Sequence, residues 1–153
     1  MSDEKWKQSA REEWRELGFH YSLDEEAKTW TLTGSREGLL KFRDALLGYV
    51  SNPANAMLSE HDHFGPYMYL KVMTWSEAGF DADSMRGSLE DLRRLAHLIE
   101  AGVAAGQIGK SVRIQEEYAT DSSFALMLDL REDGFDPASA DPGCHPSDSD
   151  DIG

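Results

Sequence analysis

The amino-acid sequence predicts an α+β domain in which a two-layer arrangement places two amphipathic helices on one face of a sheet of about five strands. Short segments of alternating apolar residues, typical of strands, flank two segments with apolar residues at helical spacing. After an amino-terminal helix the element order is ββαβαββ, which favours an antiparallel or mixed sheet. The length of 153 residues suits one domain with a buried core.

Residues 1–18 predict the amino-terminal amphipathic helix. Its apolar residues recur at helical spacing, and Gly18 follows as a stop signal. The domain itself, residues 19–133, begins with a predicted hairpin. Residues 19–23 and 29–33 alternate apolar with polar side chains, and the polar residues between them suit a turn.

Two further segments predict the core helices. Ser35 is a suitable N-cap for a helix over residues 36–50, which carries an apolar stripe. Ser88 and Asp91 give the second helix a start that resembles a capping box, and Gly106 ends it.

Residues 65–75 are the most distinctive segment and read GPYMYLKVMTW. They predict a single strand opened by a Gly-Pro turn, with Met68, Leu70 and Val72 facing the core. The opposite face carries residue types that protein interfaces favour. Its members are Tyr67, Tyr69, Lys71, Met73 and Trp75.

Residues 112–118 and 124–130 predict the last two strands. With both core helices on one face, the other face of the sheet stays open, and Arg113 lies beside the aromatic row. If the first helix covers that face instead, the aromatic residues belong to the core. The remaining members of the predicted open face are Gln115, Glu117, Met127, Asp129 and the threonine row Thr29, Thr31 and Thr33.

Residues 134–153 are rich in Asp, Pro, Ser and Gly and predict a disordered acidic tail. The one cysteine, Cys144, lies in this tail and cannot form an internal disulfide, which favours a reducing compartment. No apolar run follows Met1 and none approaches the length of a membrane span, so we expect a cytoplasmic protein.

The net charge of −14, from 29 acidic and 15 basic residues, constrains the partners. Such a surface repels phosphate backbones and anionic lipids, so we expect neither nucleic-acid nor membrane binding. It attracts a basic partner and speeds the encounter with it.

Candidate chemistry is sparse. His61, Asp62 and His63 are suitable metal ligands, but no further ligand stands at a recognisable spacing, which favours a polar loop. The serines lack a nucleophile elbow, and the glycines form no phosphate-binding loop. We therefore expect no enzyme activity, no cofactor and no metal.

Three motifs carry a resemblance: WTLTG at 30–34, EGLL at 37–40 and EHDHFGPYMYL at 60–70. With them, residues 19 to about 137 resemble a family of predicted immunity proteins from bacterial polymorphic toxin systems. The resemblance implies a small, acidic, cytoplasmic α+β domain that binds a cognate toxin and blocks it without catalysis. It implies that the acidic surface steers a basic toxin domain and that sheet aromatics anchor it.

The predicted function is therefore an immunity-type inhibitor of a cognate, basic toxin protein. Three alternatives stay open: a metal-dependent hydrolase, a small-molecule-binding accessory domain, and a homo-oligomer that covers the aromatic strand with its own copy. The predicted partner-binding residues are Tyr67, Tyr69, Lys71, Trp75 and Arg113, with His61, Asp62 and His63 as a second loop.

Overall fold

The computed structural model describes residues 3–144, which contain three α-helices and eight strands in two mixed sheets. The helices are α1 (Asp3–Leu17), α2 (Arg36–Val50) and α3 (Leu89–Ala105). The strands are β1 (His20–Asp24), β2 (Thr29–Gly34), β3 (His61–Phe64), β4 (Leu70–Thr74), β5 (Gly79–Phe80), β6 (Met85–Gly87), β7 (Ser111–Ile114) and β8 (Ala125–Leu130).

Both sheets share one plan, in which two antiparallel hairpins are joined through a parallel pair of central strands. Sheet A has the order β1-β2-β8-β7, with β2 and β8 parallel. Sheet B has the order β3-β4-β6-β5, with β4 and β6 parallel. The α+β class is confirmed, but the prediction of one sheet of about five strands in the order ββαβαββ is wrong.

The predicted helices are confirmed, together with their caps. The Ser35 hydroxyl accepts a hydrogen bond from the Gly38 N–H at 3.0 Å. Ser88 and Asp91 form the reciprocal capping box at the start of α3, and Gly106 is its C-cap. A cap of this kind stabilises a helix by about 1 kcal/mol. Helices α2 and α3 pack against each other, and their apolar stripes are buried in the core.

Residues 65–75 differ from the predicted single strand. Strand β4 begins only at Leu70, because residues 66–68 form a 3₁₀ turn with Tyr67 and Met68 at positive φ. Leu70 and Val72 are buried as predicted. Met68 is 59% exposed, so its predicted place in the core is wrong.

Sheet B contains three strands that the sequence did not predict. Strand β3 is formed by residues 61–64, where we expected a polar loop, and β5 and β6 have only two and three residues. In sheet A the predicted β7 is shorter than expected, and Tyr118 lies in the turn that follows it.

The segment after β8 is also structured over its first part. Residues 137–140 and 142–144 form 3₁₀ turns that pack against α1, and both Ala138 and Cys144 are buried. Over these residues the structure differs from the predicted disordered tail. The rest of that tail, residues 145–153, lies outside the described residues. None of the helices within residues 3–144 is long and apolar enough to cross a membrane.

Candidate binding pocket

The turn between β3 and β4, residues 65–69, has an unusual backbone, and we call it the tyrosine turn. Gly65, Tyr67 and Met68 all have positive φ, at 77°, 66° and 56°. For residues other than glycine this conformation costs about 1–3 kcal/mol. A Cβ at Gly65 would lie 2.8 Å from the Leu17 Cδ2 and 2.9 Å from the Tyr21 Cε2, so glycine is required there.

Hydrogen bonds from other parts of the chain hold the tyrosine turn in place. The Tyr21 hydroxyl donates to the Pro66 C=O and accepts from the Tyr69 N–H at 3.2 Å. The His63 Nδ1 lies 2.9 Å from the Met68 C=O. Because these bonds satisfy the polar groups of the turn, they offset the strain of its backbone.

The turn forms one wall of a cavity of about 680 Å³, which we call the tyrosine cavity. This volume lies in the range typical of ligand-binding pockets. The other walls are formed by strand β1, the turn between β5 and β6, residues 141–142, and the side chains of Trp14 and Trp30. Its aromatic lining consists of Trp14, Tyr21, Trp30, Tyr67 and Tyr69, and its charged and titratable lining of His20, Glu25, His63, Lys71, Asp83 and Asp141.

A buried carboxylate, Asp141, joins α1 to the tyrosine turn. Asp141 is 8% exposed, and one of its carboxylate oxygens accepts from the Trp14 Nε1 at 2.8 Å and the Tyr67 hydroxyl at 2.6 Å. The Cys144 thiol donates to the same oxygen at 3.2 Å, and the Gly143 N–H donates to the other at 2.9 Å. This set of donors matches a carboxylate that stays ionised in a buried site.

The pKa values around the cavity follow from this arrangement. Burial raises the pKa of Asp141, but the hydrogen bonds from Tyr67, Trp14 and Cys144 outweigh it, so the pKa lies below its ordinary value. Burial and the Asp141 carboxylate raise the pKa of Tyr67 far above its ordinary value, and that of Cys144 to about 11. Burial lowers the pKa of His20. Tyr67 and Cys144 are therefore protonated at neutral pH and act as donors.

Half of the predicted contact residues line this cavity. Tyr67, Tyr69, Lys71 and His63 are among its lining residues. Lys71 and His63 are directly opposite each other on β4 and β3 and share one face of sheet B. Tyr69 is 70% exposed, so its ring is accessible at the cavity mouth.

The other predicted contact residues lie elsewhere. Arg113 is on β7, the edge strand of sheet A opposite to β1. The prediction that Arg113 and the tyrosines share one open sheet face is therefore wrong. Trp75 follows β4 and is 37% exposed. His61 and Asp62 are exposed on β3 and do not line the cavity.

The histidines of β3 do not assemble a larger ligand set. The rings of His61 and His63 lie 5.2 Å apart, and the His61 Nδ1 lies 2.9 Å from the Ser59 C=O. Within residues 3–144 no three His, Cys, Asp or Glu side chains are grouped so that they could hold a metal ion.

Sequence reasoning missed several lining residues. Tyr21 and Trp30 were predicted only as residues of the first hairpin, and Trp14 only as part of the amino-terminal helix. Asp141 lies in the segment predicted to be disordered, and its partner Trp14 is 127 positions away. No local pattern marks such a pair.

Comparison with family models, with curated proteins and with solved structures gives no match for this chain. The resemblance to immunity proteins therefore stays a prediction.

Proposed function

We propose that this chain is a non-enzymatic immunity-type protein that binds and neutralises a cognate, basic bacterial toxin domain. One observation carries the proposal: the strained tyrosine turn presents exposed aromatic side chains at the mouth of a cavity. Tyr69 and Met68 are 70% and 59% exposed, although large apolar side chains are usually covered.

The arrangement of the turn supports binding to a protein. Tyrosine and methionine are enriched at interfaces, where a few aromatic anchors beside a pocket contribute most of the binding energy. The turn is held by the hydroxyls of Tyr21 and Tyr67, so its exposed side chains are positioned before a partner arrives. Such preorganisation reduces the entropy lost on binding.

The charge of the chain supports a basic partner. A net charge of −14 accelerates association with a cationic domain, and this acceleration weakens as salt screens it. The mechanism would be stoichiometric: the bound inhibitor covers the active surface of the toxin, and no bond is made or broken. The cytoplasm is where such an inhibitor would meet its toxin.

A pull-down from the native host tests this proposal. The bait is the full chain, beside Tyr69→Ala, which removes the most exposed ring of the cavity mouth. Trp75→Ala is the matched control, because it removes an exposed aromatic residue outside the cavity. We expect one basic toxin-like protein that wild type and Trp75→Ala retain and Tyr69→Ala loses, and whose toxicity wild type suppresses. Absence of any such partner would contradict the proposal.

The size of the cavity favours a second candidate function, a small-molecule-binding accessory domain. A cavity of about 680 Å³ lined by aromatic residues is large enough for a metabolite. A thermal-shift screen against a metabolite panel separates the two functions. A ligand that raises Tm in wild type but not in Tyr69→Ala would support the accessory domain, whereas an inhibitor of toxins should show no such shift.

A further inference from the structure

Strand β1 is an edge strand of sheet A, and its unpaired side faces the tyrosine cavity. It pairs with β2 alone, in antiparallel register. His20, Tyr21, Ser22 and Leu23 line the cavity in succession. Because successive residues of a strand point to opposite faces, a cavity that contacts all of them runs along the edge of the strand.

Hydrogen bonds at both ends of β2 determine which of its backbone groups face β1. The Lys28 C=O, just before β2, accepts from the Ala125 N–H of β8 at 3.0 Å. At the other end the Gly34 C=O accepts from the Arg131 N–H at 2.8 Å. Even-numbered residues therefore direct their backbone groups toward β8, and odd-numbered residues of β2 direct theirs toward β1.

The open backbone groups of β1 follow from this alternation. Thr31 is opposite Ser22 and Thr33 is opposite His20, so these pairs exchange the hydrogen bonds between the two strands. The N–H and C=O groups of Tyr21 and Leu23 point away from β2. Among the described residues, 3–144, neither has a backbone hydrogen-bond partner. Together they comprise two donors and two acceptors with a repeat of about 7 Å; Leu23 is partly exposed, and Tyr21 is 6% exposed.

We propose that the open edge of β1 receives an extended, basic segment of the partner protein as an additional strand of sheet A. This inference rests on the proposed function, because the partner is the basic toxin domain. The backbone of the segment pairs with Tyr21 and Leu23. Successive side chains of the segment point to opposite faces, so every second side chain enters the tyrosine cavity. In this mode of peptide binding the backbone hydrogen bonds give affinity and the pocket gives specificity.

Charge around β1 selects a basic segment. The strand ends in the acidic turn Asp24-Glu25-Glu26, and the carboxylates of Glu25, Asp83 and Asp141 in the cavity lining outnumber its one lysine, Lys71. Glu25 and Asp83 are exposed and have no basic ion-pair partner among residues 3–144. Lysine or arginine therefore fits beside these carboxylates and over the tyrosine rings, while apolar residues fit the aromatic lining.

The other sheet edges lack this combination. Strand β7 carries Arg113 and no carboxylate, so it offers no ion-pair partner to a basic segment. Strand β5 has only two residues, too few to guide a long partner strand. Strand β3 contributes only His63 to the lining of the cavity.

Amide hydrogen exchange on the isotope-labelled full chain tests the inference. The probe is a set of ten-residue peptides in which lysine alternates with valine, phenylalanine or tyrosine, and the control set has glutamate in place of lysine. With a saturating lysine peptide we expect exchange of the Tyr21 and Leu23 amides to slow by at least about tenfold. The Ser22 and Asp24 amides, already paired with β2, should not change. Failure of every lysine peptide to bind, or protection confined to β7 or β3, overturns the inference.

Two proline variants, one on each edge strand of sheet A, test which edge binds the peptide. Leu23→Pro removes an N–H that β2 does not use, and Arg113→Pro removes an edge N–H from β7 on the opposite side of the sheet. We expect Leu23→Pro to lose peptide binding and Arg113→Pro to keep it. If Leu23→Pro does not fold, N-methylated peptides replace it. In an added strand, every second peptide amide faces β1. Methylation of those amides should abolish binding, whereas methylation of the amides between them should not. Equal loss of binding from both sets overturns the inference.

Two outcomes separate this inference from the proposed function. If the pull-down captures a toxin domain whose complex leaves Tyr21 and Leu23 exchange unchanged, strand addition is overturned and the inhibitor function stands. If no partner is captured but lysine peptides slow the exchange of both amides, strand addition is supported and the inhibitor function is contradicted. Slowing that grows with protein concentration without peptide assigns the edge to a second copy of the chain and overturns the inference.

Discussion

Sheet A and sheet B have the same plan, two hairpins joined through parallel central strands, but they differ in regularity. The central strands of sheet A pair over six residues, and those of sheet B over three. The longer strands of sheet A bury a continuous row of apolar side chains. In sheet B the strands are short, and the turn that leads into β4 carries strained, exposed aromatic residues. The comparison teaches that one topology can bury a long, regular core in one copy and support a strained, exposed turn in the other.

The largest expected loss of stability comes from truncating a buried leucine, and we expect this loss to differ between the two sheets. Leu128 lies on a central strand of sheet A and Leu70 begins β4, and both are fully buried. We expect Leu128→Ala to lower the free energy of unfolding by about 4 kcal/mol and Leu70→Ala by about 2–3 kcal/mol, because the strained turn beside Leu70 can relax into the cavity left behind. Urea denaturation measures both.

Met127→Ala, on the same strand as Leu128 but facing outward, serves as the control and should cost less than about 1 kcal/mol. Equal losses from the two leucines would show that the two sheets are equally rigid, contrary to the comparison.

The next effect contrasts the glycines that precede the sheets' strands. Both Gly65, before β4, and Gly109, before β7, have positive φ. A Cβ at Gly65 meets Leu17 and Tyr21, whereas nothing lies within 4 Å of one at Gly109. We therefore expect Gly109→Ala to cost about 1 kcal/mol and Gly65→Ala about 3 kcal/mol, since the second adds a clash to the backbone strain. Thermal unfolding of the two variants checks the difference, and similar Tm losses would contradict the packing described for the tyrosine turn.

A smaller effect tests the carboxylate that links α1 to the turn of sheet B. Asp141→Asn weakens the hydrogen bonds from Trp14 and Tyr67, and we expect a loss of about 2 kcal/mol at pH 7. The folded-state pKa of Asp141 lies below its unfolded value of about 3.9, so its contribution is present above that pH and disappears as pH falls through the folded pKa.

The difference between wild type and Asp141→Asn should therefore shrink in acid, as denaturation curves at pH 7 and in strong acid would reveal. Asp136→Asn is the control, because its ion pair with Arg15 is exposed, and its effect should be the smaller of the two. A gap that stays constant down to strong acid would count against an ionised Asp141.

The smallest stability effect contrasts two surface cations. Lys71 on β4 lines the cavity, and Arg113 on β7 does not. We expect each alanine variant to change stability by less than about 0.5 kcal/mol. Only Lys71→Ala should change the affinity for the captured partner, as isothermal titration would measure, while an equal change from Arg113→Ala would move the proposed binding surface to β7, the other edge of sheet A.

The sequence predicts sheet A and its helices well because their signals are local. Tyr21, Leu32 and Leu128 stand in clear alternation, and Ser35 and Ser88 are N-caps. Sheet B is poorly predicted because β5 and β6, with two and three residues, are shorter than the roughly four residues over which alternation can be recognised.

The site is predicted only in part, for a different reason. The alternation of residues 65–75 correctly buries Leu70 and Val72, but it fails at Tyr67 and Met68, whose left-handed backbone interrupts the strand. That conformation is held by a hydrogen bond from the Tyr21 hydroxyl and by one that Tyr67 donates to Asp141, and both partners lie far away in sequence. A single-sequence pattern contains no information on such distant partners.

The bond between Trp14 and Asp141 has a consequence for the order of events during synthesis. Asp141 is added 127 residues after Trp14. At about 5–20 residues per second, the ribosome takes on the order of ten seconds to cover that distance. During this interval α1 lacks the segment that docks it, and Tyr67 lacks the carboxylate that holds its hydroxyl. The wall of the tyrosine cavity is therefore completed late in translation, after residues 136–144 have emerged.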